Sequence, residues 1–130
     1  MAVAPNPRKE PLLPINDRVE LAKIATKNFA HVEVETFNGL LVEYVHSRGA
    51  HGIIRGLRAL SDFEHEFQMA LLNRKIDAQL ETVFLMPSEE YSYLTSSIVK
   101  ELAMFGGPLE DFVCPEVAEK LRKWYRGSKS

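Results

Sequence analysis

The chain has 130 residues, a length that favours a single domain. Apolar residues make up 45% and charged residues 26%, the balance of a globular protein with one core. The formal net charge of −2 excludes a global basic field for nucleic acid or an anionic membrane, so an anionic ligand needs a local cluster of basic residues.

Cys114 is the only cysteine, so no disulfide forms within the chain, and this usage fits a reducing compartment. No Cys-centred motif surrounds it, and it reads as a small packed hydrophobe. No stretch approaches the ~20 apolar residues that span a bilayer. The start, Met1-Ala2-Val3-Ala4-Pro5-Asn6-Pro7, lacks the charged head and apolar run of a signal peptide. The expected location is cytoplasmic, with no membrane and no nucleic acid as partner.

Pro5, Pro7, Pro11 and Pro14, with Arg8, Lys9 and Glu10 between them, make residues 5–14 a loop, because proline lacks the N–H that helices and central strands need. Asn16 or Asp17 can cap a helix running to about Phe29, with Val19, Ala22, Ala25 and Phe29 as its apolar stripe. Residues 31–37 largely alternate and predict a strand with one wet face. Leu40 to Ser47 predict a short helix, with Gly49 where a left-handed C-cap belongs. Gly52-Ile53-Ile54-Arg55 predicts a short buried strand that Gly56 breaks. A long helix follows from about Ser61 to Ile76, then a strand over Glu81–Met86 stopped by Pro87. Residues 95–105 and 115–125 predict two further helices, the second opening on Pro115, where the missing N–H costs nothing.

Strands separated by helices imply an α/β protein with a doubly wound parallel sheet. Such sheets bind ligands at the carboxyl ends of their strands. Three segments there carry chemistry. Arg55-Gly56-Leu57-Arg58 places two arginines around a glycine; arginine's planar fork of donors suits phosphate, and glycine lets a ligand approach the backbone. Taken alone, the same pattern describes a surface turn. Tyr91-Ser92-Tyr93-Leu94-Thr95-Ser96-Ser97 opens a helix carrying Lys100, and free N–H groups at such a start make an anion site, or simply an ordinary N-cap. Arg8-Lys9 adds a third basic element, or a solvated charge pair. Together they suggest a site for a phosphorylated ligand, such as a nucleotide. There is no P-loop, no G-x-G-x-x-G fingerprint and no zinc spacing. His31, His46, His51 and His65 are scattered and read as surface or packed histidines.

Ile54-Arg55-Gly56-Leu57-Arg58-Ala59-Leu60-Ser61-Asp62-Phe63-Glu64-His65-Glu66 is similar to the I-R-G-L-R-x-x-x-D-F-E-x-E segment of bacterial phosphopantetheine adenylyltransferases. Thr82-Val83-Phe84-Leu85-Met86-Pro87-Ser88 also resembles that family. Thr95-Ser96-Ser97-Ile98-Val99-Lys100-Glu101 resembles its S-S-S-x-x-[KR]-E helix start, with Thr95 in place of the first serine. Pro7-Arg8-Lys9-Glu10-Pro11 and Asp17-Arg18 fit in order, and the likeness covers essentially the whole chain.

The resemblance implies a Rossmann-like nucleotidyltransferase fold and one nucleotidyltransferase-like domain over 1–130. It implies transfer of an adenylyl group from ATP to 4′-phosphopantetheine, giving dephospho-coenzyme A and pyrophosphate, with Mg²⁺. Lys9, Leu41 and Arg55 match positions that contact phosphopantetheine. Gly56, Leu57, Arg58, Glu66, Tyr91, Ser92, Tyr93, Leu94, Thr95, Ser96 and Ser97 match positions that contact ATP. Coenzyme A or dephospho-coenzyme A are further expected ligands, and a homo-oligomer, a hexamer, is the family's habit.

One departure bears on catalysis. Family members begin with a strand and a G-x-F-D-P-x-x-x-G-H segment, whose histidine stabilises the pentavalent phosphorus. Met1-Ala2-Val3-Ala4 matches the end of the family's second strand, so about thirty residues, the size of a β-α unit, have no counterpart here. No catalytic residue is therefore assigned. The expectation is an adenylyltransferase whose turnover is impaired in this form, the alternative being a non-catalytic module that binds nucleotide or coenzyme A.

Overall fold

Two pairs of parallel strands, each joined through helices, organise the chain in a computed structural model that describes residues 1–5, 11–58 and 60–127. The chain divides into two compact units, Met1–Asn38 with Thr95–Ser130, and Gly39–Leu94. Among the described residues no helix is long and apolar enough to cross a membrane.

In the first unit, β1 (Ala2–Val3) lies parallel to β2 (Glu35–Thr36), with Ala2 opposite Glu35 and Val3 opposite Thr36. Helix α1 (Ile15–Ala25) connects them. It begins directly after Pro14, and Asp17 in its first turn and Lys23 in its last complement the helix dipole. It stops four residues short of Phe29. Thr26 Oγ1 donates to the Ala22 carbonyl at 2.7 Å, a side-chain bond that competes with helix continuation, and Phe29 is exposed. The strand expected over 31–37 shrinks to Glu35–Thr36, because its partner β1 offers only two residues to pair with. Alternation along a segment reports which faces are wet, and the neighbour sets how much of it is strand.

Helix α4 (Ser96–Phe105) ends on Gly106 at φ 74°, a left-handed residue. The Gly107 N–H reaches the Leu102 carbonyl at 2.7 Å and the Gly106 N–H reaches Ala103, which together close the helix in a Schellman pattern. Helix α5 (Pro115–Gly127) opens on its proline as expected. It packs on α4 and α1, and the unit's core is built from Leu13, Leu21, Val34, Val99, Ala103, Leu109, Ala118 and Leu121. Lys27–Glu116 at 3.1 Å and Lys120–Asp17 at 3.3 Å add ion pairs between the α1 and α5 segments.

Glu110 accepts from Arg122 and from the Leu109 N–H at 2.8 Å. Those bonds, Arg122 first, lower its carboxyl from the ordinary 4.5 to about 2. A depressed folded pKa gives stability that is present above 4.5 and is lost as pH falls towards 2. Thermal melts should therefore show wild type losing more Tm than Glu110→Gln across that window. Parallel Tm curves for the two proteins would remove Glu110 from the acid response.

The second unit runs α2 (Leu41–Ser47), β3 (Gly52–Gly56), α3 (Leu60–Ile76) and β4 (Glu81–Leu85). β3 and β4 pair in parallel from Gly52 opposite Glu81 to Gly56 opposite Leu85. Helix α2 ends as its glycine foretold, with Gly49 at φ 61° and the Ala50 N–H on the Val45 carbonyl. Val42, Val45 and Leu80 form a buried cluster on which Leu41 and Ile53 pack. His46 Nε2 lies 2.7 Å from Asp77 Oδ2, so α2 is tied to the turn after α3. Asp77 also accepts the Gln79 N–H, and that bond, followed by His46, holds its carboxyl below the ordinary value.

The expectation of a buried β3 is corrected. Ile53 packs inward, but Ile54 is 71% exposed. Side chains alternate along a strand, so Ile54 shares its face with Val83 and Leu85, also exposed, while Arg55 shares the opposite face with Phe84. Helix α3 lies on that opposite face, with Phe63 edge-on to Phe84 at 6.4 Å and stacked on Phe67 at 5.5 Å. An apolar run cannot tell a strand buried on both faces from one covered on a single face.

Candidate functional site

Arg55 is the fourth residue of β3 and faces the side that α3 covers. Asp62 and Glu66 stand one helical turn apart on α3 and so project from the same side of it. Each meets one arginine. Arg55 Nε donates to Glu66 Oε2 at 2.6 Å, and its Nη2 donates to the other carboxylate oxygen, Oε1. Arg58, beyond the strand end, donates from Nε to Asp62 Oδ2 at 3.3 Å and from Nη1 to the Leu94 carbonyl at 3.1 Å. Arg55 and Arg58 are about half exposed, whereas the Glu66 side chain is only 13% exposed. The Arg55 guanidinium is held above its ordinary pKa, mainly by its bond to Glu66, against an opposing push from partial burial. It carries a permanent positive charge.

The backbone leaves room beside this pair of cations. A Cβ built on Gly56 would meet nothing within 4 Å. The Leu57 N–H bonds the Leu85 carbonyl at 2.9 Å, which carries the ladder one step past β3 and fixes where Arg58 leaves the strand. Residues Glu89–Tyr91 form a 3-10 turn, Ser92 Oγ donates to the Glu89 carbonyl at 2.8 Å, and Tyr91 and Tyr93 are exposed. Within this unit the expected residues Arg55, Gly56, Leu57, Arg58, Glu66 and Leu94 are thus linked by direct bonds or chain continuity. Leu41 belongs to the same unit and sits half-buried on the Val42, Val45 and Leu80 cluster.

Thr95, Ser96 and Ser97 belong to the first unit. Thr95 Oγ1 accepts the Ile98 N–H at 3.2 Å, so the threonine is the N-cap, and Ser96 and Ser97 are exposed in the first turn. Lys9 lies outside the described residues. Sequence reasoning gave no role to Asp62, although an acid four residues after Arg58 at a helix start is a readable signal. The His46–Asp77 link, spanning 31 positions, has no local signal at all. Among the described residues no three His, Cys, Asp or Glu side chains gather as a cation cage.

Residues 1–102 match the cytidylyltransferase-like family. The phosphopantetheine adenylyltransferase of Caldanaerobacter subterraneus subsp. tengcongensis is 53% identical over 128 residues, covering 98% of this chain and 80% of that protein. The phosphopantetheine adenylyltransferase of Clostridium botulinum strain 657 is 48% identical over 95% of this chain and 75% of its own length. That of Alkalilimnicola ehrlichii is 48% identical over 98% of this chain and 73% of its own length. Identity near one half along almost the entire chain, with parallel strands ending in the arginine pair, leads to one assignment. The chain belongs to the cytidylyltransferase-like family, among its phosphopantetheine adenylyltransferases.

Proposed function

We propose that the protein transfers the adenylyl group of ATP to 4′-phosphopantetheine in the making of coenzyme A. A phosphate oxygen of phosphopantetheine forms a bond to the α-phosphorus of ATP. The bond from that phosphorus to the bridging oxygen breaks, and pyrophosphate leaves. The observation that carries this reading is the placement of Arg55 and Arg58 at the carboxyl end of β3, beside an open glycine backbone. Such a transfer asks little covalent chemistry of protein and much positioning and charge stabilisation. Arg55 would hold the attacking phosphate, and the resemblance adds Lys9 and Leu41 as further contacts of phosphopantetheine. Arg58, Gly56 and Leu57 would meet the ATP phosphates, and the resemblance adds Glu66 and residues 91–97 as further nucleotide contacts.

Mg²⁺ fits this scheme as a companion of ATP, held largely by phosphate oxygens and water. Among the described residues no three His, Cys, Asp or Glu side chains gather to hold it without those oxygens.

The test is a pyrophosphate-release assay with ATP, Mg²⁺ and 4′-phosphopantetheine, paired with calorimetric titration of each substrate. Dephospho-coenzyme A formed with pyrophosphate supports the reading. Binding of both substrates without turnover would favour a non-catalytic module, and no binding of either would overturn both. Arg58→Ala should weaken ATP about tenfold, the worth of one charged hydrogen bond. Unchanged ATP affinity in that variant would take Arg58 out of the site.

A further inference from the structure

Helix α2 opens on Leu41, which the resemblance assigns to phosphopantetheine. Its seven residues are too few to hold a helix in water without tertiary contacts, and its N-cap, Leu40, makes no side-chain cap bond. Val42 and Val45 seat it on Leu80, and His46 in its last turn lies 2.7 Å from Asp77 in the turn after α3. Leu41 and His46 are separated by about 7.5 Å of helix rise, so a tilt at one end of α2 moves the other. We propose that His46 and Asp77 form a pH-responsive clasp on α2, which sets the position of Leu41 and so makes phosphopantetheine binding stronger on the acid side of the histidine range. This rests on the function proposed above.

A charged histidine makes an ion pair with Asp77, and a neutral one makes only a plain hydrogen bond; the charge-assisted form is roughly twice as strong. The Gln79 N–H, followed by His46, holds the Asp77 carboxyl below its ordinary value, so Asp77 stays ionised where histidines titrate. The clasp is therefore at full strength below the histidine range and weakens as pH rises through it. Other charges nearby are turned elsewhere. Glu43, one turn before His46, places its Oε2 3.5 Å from where a Cβ on Gly39 would stand, at the opposite end of α2. Arg74 of α3 is bound to Glu81 of β4, and Arg55 of β3 is bound to Glu66. Tyr44, Arg48, His51 and Lys75 are the remaining titratable groups of these segments.

The phosphate of the ligand itself titrates at about pH 6. The readout is therefore the ratio of variant to wild-type affinity at one pH, in which that titration cancels. Calorimetry on the full chain takes 4′-phosphopantetheine and ATP at about pH 5.5 and about pH 8, on either side of the histidine range. The proteins are wild type, His46→Gln, Asp77→Asn, the double variant and His46→Arg. His46 is 63% exposed, so its replacement leaves the core intact, and His46→Gln alone decides where Asp77→Asn does not fold. On the acid side both single variants should bind phosphopantetheine roughly threefold more weakly than wild type, within the worth of an exposed ion pair. The double variant should be no weaker than either single one, since the same interaction is lost once. On the alkaline side His46→Gln should equal wild type. His46→Arg, whose charge does not titrate there, should bind more tightly than wild type. ATP affinity should be the same in all five proteins at each pH.

An acid-side loss shared by ATP would assign the pair to the stability of the whole unit and overturn the route through Leu41. A loss of equal size at both pH values would overturn the switch, and no loss in any variant would overturn the clasp. Each of these leaves the proposed function standing. A wild type that binds no phosphopantetheine would bring down that function and this inference with it.

Discussion

Replacing Arg55 by alanine should lower kcat/KM for 4′-phosphopantetheine by roughly 10²–10³, the loss typical of one donor aimed at charge in a transition state. The residue faces α3 from the end of β3 and is the most firmly held cation of the candidate site. Arg55→Lys should recover only part of that loss. A lysine ammonium offers a point charge without the planar fork that makes two parallel bonds to a phosphate. The measurement is steady-state pyrophosphate release at varied phosphopantetheine with saturating ATP. Wild-type kinetics in Arg55→Ala would remove the residue from the reaction.

The largest effect on stability should come from Leu109→Ala. Leu109 lies in the loop between α4 and α5 and is 0% exposed, the most completely buried side chain among the described residues. Emptying such a site costs about 2–5 kcal/mol in transfer and cavity terms together. That is a large share of the ~5–15 kcal/mol by which domains are stable, and corresponds to a fall of about 10 °C or more in Tm. Phe105 is the contrasting control. It is a larger apolar side chain but 76% exposed, so Phe105→Ala should stay within about 0.5 kcal/mol. Thermal melts of both variants by circular dichroism decide the matter. A Leu109→Ala protein that melts with wild type, or a Phe105→Ala protein that melts as far below, would contradict this ranking.

The helices were largely legible from sequence because their signals are local. Pro115 opens α5, Thr95 caps α4 just ahead of Ser96, and Gly49 closes α2 in the left-handed region. The strands were legible in place but not in extent or burial. Glu35–Thr36 is short because β1 is short, and Ile54 is exposed because only one face of the β3–β4 pair carries α3. Both facts belong to the neighbour and not to the segment. The site followed the same divide. Arg55 and Arg58 were readable from their motif, and the local Arg58–Asp62 pair could have been, whereas the bond of Arg55 to Glu66 emerged only when the crossover brought α3 over the strand end. The pairing of His46 with Asp77 had to wait for the fold itself.

The first unit is discontinuous, with Met1–Asn38 completed only by Thr95–Ser130. During synthesis, α1 leaves the ribosome long before α5, on which it packs. Lys27 precedes its partner Glu116 by 89 positions, a delay of roughly 5–20 s at bacterial elongation rates of about 5–20 residues per second. The second unit, continuous from Gly39 to Leu94, can close its ladder in that interval. A nascent chain arrested before Pro115 would therefore hold a formed β3–β4 pair and, separately, an α1 still without the α5 on which it packs, and proteases should cut it first within Met1–Asn38.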